Sequence, residues 1–206
     1  MRALLLLLIF AGCTSQKSVE TPTPTPLPSP ALASYSWEKG HPERSTWTEA
    51  LRDGITSKFG ILDGAKDMTI FCPPYRKLTQ RQRVDVMGET LVWVMYFESG
   101  WNPEASSVDV GEKGNKDTWS VGLLQLSVVD QVNYGFKYGY DFKGLQDPIK
   151  NMNLGIAILT AQVAKHEKIA IPKGETGLYW STIHPGGKYD KTNEIAAKVK
   201  ALEMCK

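Results

Sequence analysis

One helical stripe of apolar residues ends on a carboxylate, and no other feature constrains the fold as strongly. Counting back from Glu98 in steps of four and three residues gives Val94, Leu91, Met87 and Val84. Residues at this spacing share one face of a helix, and an apolar face must pack against a core. Gly100 and Pro103 favour a helix end. The pattern predicts a helix over residues 80 to about 99, capped by Thr79.

The position of Glu98 allows two interpretations. It continues the buried face at the point where that face runs out, and an unpaired carboxylate there is costly. Glu98 is then either a capping or salt-bridged residue or an acid with a chemical task. Glu89 lies on the other side of the same helix, where we expect a solvated partner for basic neighbours.

The first twelve residues have the form of a signal peptide. Met1-Arg2 is positively charged, and residues 3–10 are apolar but too few to span a bilayer. Residues 10–13 (Phe-Ala-Gly-Cys) resemble a bacterial lipobox, which predicts cleavage before Cys13 and lipidation of that cysteine. The alternative is an ordinary secretory signal cut nearby. Thr14 after the cysteine favours the outer membrane, so we expect an exported, lipid-anchored protein facing the periplasm.

A tether and one domain follow. Residues 13–34 are rich in Thr and Pro, and the alternating prolines of residues 21–30 favour polyproline II. That stretch reaches about 31 Å at roughly 3.1 Å per residue. Residues 35–206 are expected to form a single domain.

The cysteines indicate a disulfide. If Cys13 carries lipid, Cys72 and Cys205 remain, and two cysteines in an exported protein favour pairing. Two buried free thiols are the alternative.

The rest of the chain reads as mainly helical, with a small or absent sheet. A short helix follows Ser45, residues 58–76 are irregular, and residues 102–120 form a long polar loop. A long helix begins at Asp147-Pro148, and the later segments predicted to be helical are residues 176–182 and a last helix capped by Thr192 or Asn193.

Composition argues against two classes of partner. The formal net charge of +2 and the absence of a block of like charges give no support for nucleic-acid binding. His41, His166 and His184 lack the spacing of metal ligands. We expect no metal and no cofactor.

Four sequence blocks, in order, resemble the lytic transglycosylase and goose-type lysozyme superfamily. Residues 98–105 (Glu-Ser-Gly-Trp-Asn-Pro-Glu-Ala) resemble its Glu-Ser start, and residues 122–126 (Gly-Leu-Leu-Gln-Leu) its Gly-Leu-Met-Gln block. Asp147-Pro148 followed by Asn151 and Gly155 resembles the opening of its next long helix, and Leu178-Tyr179 resembles the start of its Ala-Tyr-Asn-Ala-Gly motif. These blocks lie within residues 96–182.

The resemblance implies a helical lysozyme-like domain that cleaves the β-1,4 bond between N-acetylmuramic acid and N-acetylglucosamine in peptidoglycan. It implies Glu98 as general acid and then base. A carboxyl at the edge of an apolar face has its pKa raised by desolvation, as an acid acting near neutral pH requires. The expected partners are a glycan strand and, through Cys13, a membrane; the expected state is a monomer.

A second carboxylate is needed only for hydrolysis. Residues 111–115 (Gly-Glu-Lys-Gly-Asn) resemble a Gly-Asp-Arg-Gly-Asn stretch of goose-type lysozymes, which makes Glu112 the first candidate to position water. Asp109 and Asp117 are rivals, and all three are alternatively solvated loop charges. Goose-type enzymes also have an Asp two residues after the Gln of the Gly-Leu-Met-Gln block, and in this chain that position is Ser127. A transglycosylase needs no second carboxylate, because the sugar's own N-acetyl or C6 hydroxyl attacks and gives a 1,6-anhydro product.

The resemblance also nominates binding residues, each with a structural alternative. Ser99 would contact substrate or bond the local backbone, and Gln125 would bind substrate or cap backbone groups. Tyr179 would support the acid through its hydroxyl or serve as a core aromatic. Trp180 replaces the family's Asn and would stack on sugar or fill the core.

A different class of function also stays open, namely a lipoprotein that binds peptidoglycan without cutting it. The sequence leaves undecided hydrolysis or transglycosylation, endo or exo action, acetylated or deacetylated glycan, and self or foreign wall.

Overall fold

The computed structural model describes residues 34–108, 114–176 and 179–206. The chain divides into two units, Met1–Leu32 and Ala33–Lys206, and the first lies outside the described residues. The predicted signal peptide, Cys13 and most of the tether therefore lie outside them too. The described α-helices are α1 (Ser45–Leu62), α2 (Met68–Phe71), α3 (Gln80–Ser99), α4 (Val128–Asn133), α5 (Pro148–His166) and α6 (Thr192–Lys200). The predicted mainly helical fold class is confirmed.

Helix α3 is the predicted helix, and it runs through the core. Thr79 caps its first turn in a capping box with Gln82. The four residues of the predicted stripe are at most 4% exposed. Gly100 ends the helix in the left-handed conformation at φ 62°, which glycine adopts without steric cost. Glu98 therefore lies one residue from the end of a helix whose position is fixed by burial.

Helices α1 and α5 pack closely against each other. A Cβ added to Gly54 of α1 would lie 2.4 Å from Cδ1 of Ile156 of α5, so the missing side chain at Gly54 makes room for Ile156. Asp147 caps α5 by accepting from the backbone N–H groups of Ile149 and Lys150, as predicted. The expected first helix is present from Ser45, but it is longer than predicted: α1 continues to Leu62, with Phe59 and Leu62 buried.

In the described residues the sheet is one small antiparallel hairpin, which agrees with the prediction of a small or absent sheet. Strand β1 (Ser106–Ser107) pairs with β2 (Ser120–Val121), with Ser106 opposite Val121 and Ser107 opposite Ser120. The segment between them includes residues 109–113, which lie outside the described residues.

The predicted disulfide is confirmed. Cys72 follows α2, Cys205 lies in the final 3₁₀ turn, and the bond closes a sequence separation of 133 residues with a Cα–Cα distance of 4.9 Å. Nearby, the Asp67 carboxylate accepts backbone N–H groups of Ile169 and Ala170 at 3.1 and 2.8 Å, which ties the segment after α5 to the start of α2.

Residues 34–44, the N-terminal strap, lie across α1 and α3. Trp37 is fully buried and its indole N–H donates to Thr48 of α1 at 2.8 Å. A Cβ on Gly88 of α3 would lie 2.0 Å from the Tyr35 hydroxyl, so the strap contacts the helix backbone closely. Residues of the strap are thus part of the domain core, together with residues of the helices.

The strap overturns the prediction for Glu89. This residue is 2% exposed, and its carboxylate accepts from the backbone N–H and hydroxyl of Ser36 and from the indole N–H of Trp93. Burial raises the pKa of the Glu89 carboxyl, against the opposing effect of these donors. Glu89 is a buried anchor for the strap rather than a solvated surface charge.

The helix predicted over residues 176–182 was wrong. The described part of this segment has one 3₁₀ turn, Ser181–Ile183, after an extended Trp180. The Tyr179 N–H points to the Gln162 side chain at 3.4 Å rather than to a helical carbonyl, and the Trp180 indole turns into the core. Side-chain partners therefore replace the helical hydrogen bonds. Across the three described ranges, no helix is both long and apolar enough to cross a membrane.

Candidate active site

Glu98 lies where two cavities meet. It is half-buried at the end of α3, and its Oε1 accepts a hydrogen bond from the Thr182 hydroxyl at 2.7 Å. One cavity, of about 410 Å³, is called the Gln125 cavity below. The other, of about 620 Å³, is called the Lys188 cavity. Both are lined by Glu98 and Ser181, so the carboxylate is accessible from either side.

The two cavities differ in their linings. Besides the two shared residues, the Gln125 cavity is lined by uncharged side chains, namely Ser107, Ser120, Gln125, Tyr179 and Trp180. Besides the same two, the Lys188 cavity has the lining residues Phe97, Thr182, Lys188, Tyr189 and Lys191. Among the described lining residues, the charged ones other than Glu98 therefore lie on one side of the carboxylate.

Ser99 shows the local role that was its alternative. Its hydroxyl donates to the carbonyl of Met95 in the same helix and lies 3.0 Å from the carbonyl of Leu123. This contact links the end of α3 to the segment that carries Gln125. A role for Ser99 in contacting substrate stays a prediction.

Gln125 shows the backbone-capping role that was one of its two alternatives. Its φ of 49° is unusual for a residue with a side chain. The side-chain amide donates to the carbonyls of Gly122 at 2.9 Å and Ala105 at 3.3 Å, while its oxygen accepts from Ser107. Gln125 thus caps local backbone and also borders a cavity, and its contact with substrate stays a prediction.

Asn151 holds this segment against α5. It is fully buried, its Oδ1 accepts from the Leu124 N–H, and its Nδ2 donates to the carbonyls of Val121 and Leu145, all at 2.9 Å. Gly122 has φ 75°, and a Cβ there would lie 2.4 Å from the Asn151 amide nitrogen. Asn151 and Gly122 pack against each other and therefore fix the backbone that positions Gln125.

Tyr179 is bonded to a carboxylate other than Glu98. Its hydroxyl donates to Asp130, which also accepts from Ser127 in the capping box of α4. Burial, followed by the charge of Asp130, raises the pKa of the Tyr179 hydroxyl, so the proton stays on the tyrosine. The observed contact fixes α4 beside the Gln125 cavity, and support of the acid by this hydroxyl stays a prediction.

Trp180 fills the core. It is 2% exposed and its indole N–H donates to the Leu124 carbonyl at 2.9 Å. It also borders the Gln125 cavity. The core-filling alternative is therefore the observed one, and stacking of Trp180 on sugar stays a prediction.

The three candidate second carboxylates have different outcomes. Glu112 and Asp109 lie outside the described residues. Asp117 is exposed and lines a separate cavity of about 490 Å³ with Gln131 and Phe136, rather than either cavity beside Glu98. In the described parts of the chain, no group of three His, Cys, Asp or Glu residues could hold a metal ion.

Sequence reasoning missed three residues of this site. Thr182 contacts Glu98 from 84 positions away, and Lys188 and Lys191 border a cavity beside it. No local pattern marks them: Thr182 ends an apolar segment, and Lys188 and Lys191 follow a Pro-Gly-Gly turn. Their positions follow from tertiary packing.

A mainly helical domain whose core helix ends in a glutamate between two cavities, with a small hairpin beside it, has the lysozyme-like fold. Residues 76–172 match the family described as the Transglycosylase SLT domain. This stretch is therefore similar to SLT domains, and the match supports a place for it in the lytic transglycosylase and goose-type lysozyme superfamily, which as a family is associated with cleavage of peptidoglycan.

Solved structures support this assignment. The chain is similar to wild-type DslA at 26% identity with a TM-score of 0.71, over 85% of this chain and 100% of that one. One DslA mutant with a glutamate replaced by glutamine matches at 27% identity and TM-score 0.71, over 84% and 97%. A second such mutant matches at 26% and 0.71, over 85% and 100%. Among curated proteins no match was found.

Proposed function

We propose that the chain cleaves the β-1,4 bond between N-acetylmuramic acid and N-acetylglucosamine, with Glu98 as general acid and then base. The observation that carries the proposal is the position of Glu98 at the junction of two cavities. A glycosidic bond joins two sugars, so its acid must reach the oxygen between them while a sugar occupies each side. The described geometry offers a place for both sugars.

The chemistry follows from that placement. Glu98 donates its proton to the glycosidic oxygen as the bond to the anomeric carbon breaks, and the departing sugar leaves with a free hydroxyl. The Thr182 hydroxyl holds Oε1 of the carboxyl group and so orients the group at the junction of the cavities. The resulting carboxylate then accepts a proton from the nucleophile.

We propose that this nucleophile is the C6 hydroxyl of the muramic acid itself. Attack by that oxygen on the anomeric carbon forms the 1,6-anhydro ring, and its proton passes to Glu98, which restores the acid. The proposal is supported by the linings of the two cavities, in which Glu98 is the one carboxylate among described residues.

Hydrolysis is the second candidate. Ser107 lines the Gln125 cavity, and Asp109 and Glu112, which follow it closely in sequence, are the carboxylates that we would test for positioning water.

The proposal is tested with purified sacculi. Wild-type protein is expected to release soluble muropeptides with 1,6-anhydro ends, which mass spectrometry separates from reducing ends by one water. Glu98→Gln is expected to lower turnover about 100- to 10,000-fold, the usual contribution of a general acid. Glu104→Gln, at an exposed position six residues along, is the matched control and should behave as wild type.

Each alternative has its own outcome in the same assay. Reducing ends indicate hydrolysis and direct attention to Glu112 and Asp109. Binding to sacculi without release of fragments by the wild type indicates a non-catalytic binding lipoprotein. Near-normal turnover by Glu98→Gln, with its fold intact by circular dichroism, removes Glu98 from the mechanism.

We further propose that the protein is a monomer exported and held by lipid at Cys13, on the outer membrane. The disulfide supports an oxidising compartment. Metabolic labelling with a fatty acid and membrane fractionation should give a labelled membrane protein that becomes unlabelled and soluble in Cys13→Ser. A labelled Cys13→Ser protein would contradict the assignment.

A further inference from the structure

The Lys188 cavity contains two cations that the proposed chemistry does not use. Its lining includes Lys188 and Lys191, while Glu98 is the acidic residue among its described lining side chains. The Gln125 cavity, on the other side of Glu98, has no cation among its described lining residues. A substrate that spans both cavities therefore meets a basic environment on one side of the bond to be cut.

The two ammonium groups are positioned by aromatic rings of the same cavity. The Lys188 ammonium lies 4.9 Å from the centre of the Tyr189 ring, and the Lys191 ammonium lies 5.8 Å from that of Phe97. Cation–π contacts of this kind orient a flexible lysine without consuming its hydrogen-bond donors. Lys191 also donates to Glu194 at 3.0 Å, which engages one of its three N–H donors.

The backbone ties this basic segment to the acid. The Lys191 N–H donates to the carbonyl of Thr182 at 2.8 Å, and the Thr182 hydroxyl is the group bonded to Glu98. Asp190 accepts the N–H groups of Gly186 and Thr192, so the loop is held at both ends. The backbone segment that carries the two lysines is therefore tied to Thr182, and through Thr182 to Glu98.

We propose that Lys188 and Lys191 form a subsite for a carboxylate carried by the muramic acid side chain. This inference rests on the proposed function. The lactyl group of muramic acid ends in a carboxyl: when the stem peptide is absent that carboxylate is free, and when the peptide is present its own carboxylates replace it. Lysine pairs with carboxylates as a point charge, and such pairing favours one orientation of the substrate over its reverse. N-Acetylglucosamine has no carboxylate, so the basic side selects the muramic acid.

Binding measurements with the Glu98→Gln protein separate the subsite from the chemistry. The ligands are peptide-bearing glycan strands, strands trimmed of peptide by an amidase, and an uncharged chitin oligosaccharide. Adding Lys188→Gln and Lys191→Gln together should raise Kd for at least one carboxylate-bearing ligand about three- to tenfold, the range for exposed charge pairs. The chitin oligosaccharide should be unaffected, and the difference should shrink at high salt.

Matched controls keep the test specific. Lys58→Gln with Lys165→Gln removes the same charge from exposed positions that line neither cavity, and should leave every Kd unchanged. Lys188→Arg with Lys191→Arg keeps the charge and should retain most of the binding. Weaker binding of peptide-bearing strands alone identifies the stem peptide as the source, and weaker binding of trimmed strands alone identifies the lactyl carboxylate. Weakening of both shows that either carboxylate is accepted.

Unchanged Kd for both carboxylate-bearing ligands, or equal weakening with the chitin oligosaccharide, overturns the subsite. Because these measurements use a protein without the proposed acid, they do not depend on turnover. If Glu98→Gln protein proves to cleave the strands, the proposed mechanism fails, while the effect of the lysines on Kd is still read from short incubations.

Discussion

The Thr182 hydroxyl donates a hydrogen bond of 2.7 Å to Oε1 of Glu98, which lies 84 positions earlier in the sequence. Thr182 is 6% exposed, and its own carbonyl accepts the Lys191 N–H. The carboxyl group of Glu98 is thus oriented by a buried residue that belongs to the 3₁₀ turn rather than to α3. Orientation of the acid and shape of the Lys188 cavity depend on the same short segment.

Replacing Thr182 by Val should remove this hydrogen bond while preserving side-chain shape. A hydrogen bond to a charged group contributes about 1.5 to 3 kcal/mol, so kcat should fall about 10- to 100-fold with little change in KM. Thr182→Ser, which keeps the hydroxyl, should restore most of kcat. Thr182 is a positioning residue, and an unchanged pH profile and kcat in the Val variant would contradict this role.

Replacing Asn151 by Ala should destabilise the domain strongly. Three buried backbone groups lose their partners at once, and each unsatisfied group costs about 1 to 3 kcal/mol. We expect a loss of about 3 kcal/mol or more in the free energy of unfolding, measured with urea. Asn193→Ala, at an exposed position in α6, serves as the control. A loss below about 1 kcal/mol would show that the segment finds other partners.

Glu89 should give the domain an unusual pH dependence. Burial raises the pKa of this carboxyl above its ordinary value of 4.5, so the folded protein binds the proton more tightly than the unfolded chain does. The contribution of Glu89 to stability therefore grows as the pH falls through the folded-state pKa, and is complete near the unfolded value. Ordinary acid denaturation has the opposite sign.

Thermal unfolding of wild type and Glu89→Gln between about pH 4.5 and 8 tests this sign. The wild type should gain in Tm relative to the variant as the pH falls, because the amide does not titrate. A difference between wild type and Glu89→Gln that stays constant with pH would exclude the predicted linkage.

Removing the disulfide should lower stability without changing the site directly. Closing a loop of 133 residues contributes about 5 kcal/mol in the chain-entropy model, and measured losses are about 2 to 5 kcal/mol. Cys72→Ala with Cys205→Ala should fall in that range in urea unfolding. Reductant should destabilise the wild type similarly and leave the double variant unaffected. Insensitivity of the wild type to reductant would argue that the bond is absent in solution.

Local sequence signals predicted the parts of the fold that local interactions determine. Thr79, Asp147-Pro148 and Gly100 mark helix ends through their own backbone and side-chain chemistry, and the structure has helix ends there. The apolar stripe placed Glu98 at a half-buried helix end. These features need no knowledge of distant residues.

The failures involve contacts between distant segments. Glu89 was expected in solvent because its burial depends on Ser36, 53 positions earlier. The sequence could not decide between stacking and core filling for Trp180, because its partner, the Leu124 carbonyl, lies 56 positions away. Thr182 had no signal at all, since a threonine becomes a partner of Glu98 only after packing. Site residues on loops were therefore harder to predict than the helix that carries the acid.

The N-terminal strap also determines where mechanical force on the chain is borne. A pull applied at residue 34 acts first on the hydrogen bonds of Ser36 with Glu89 and on the buried indole of Trp37. These contacts are made to α1 and α3, and neither Ser36 nor Trp37 lines the two cavities beside Glu98. Tension that arrives from the preceding segment is thus borne by α1 and α3 through the strap, away from the two cavities.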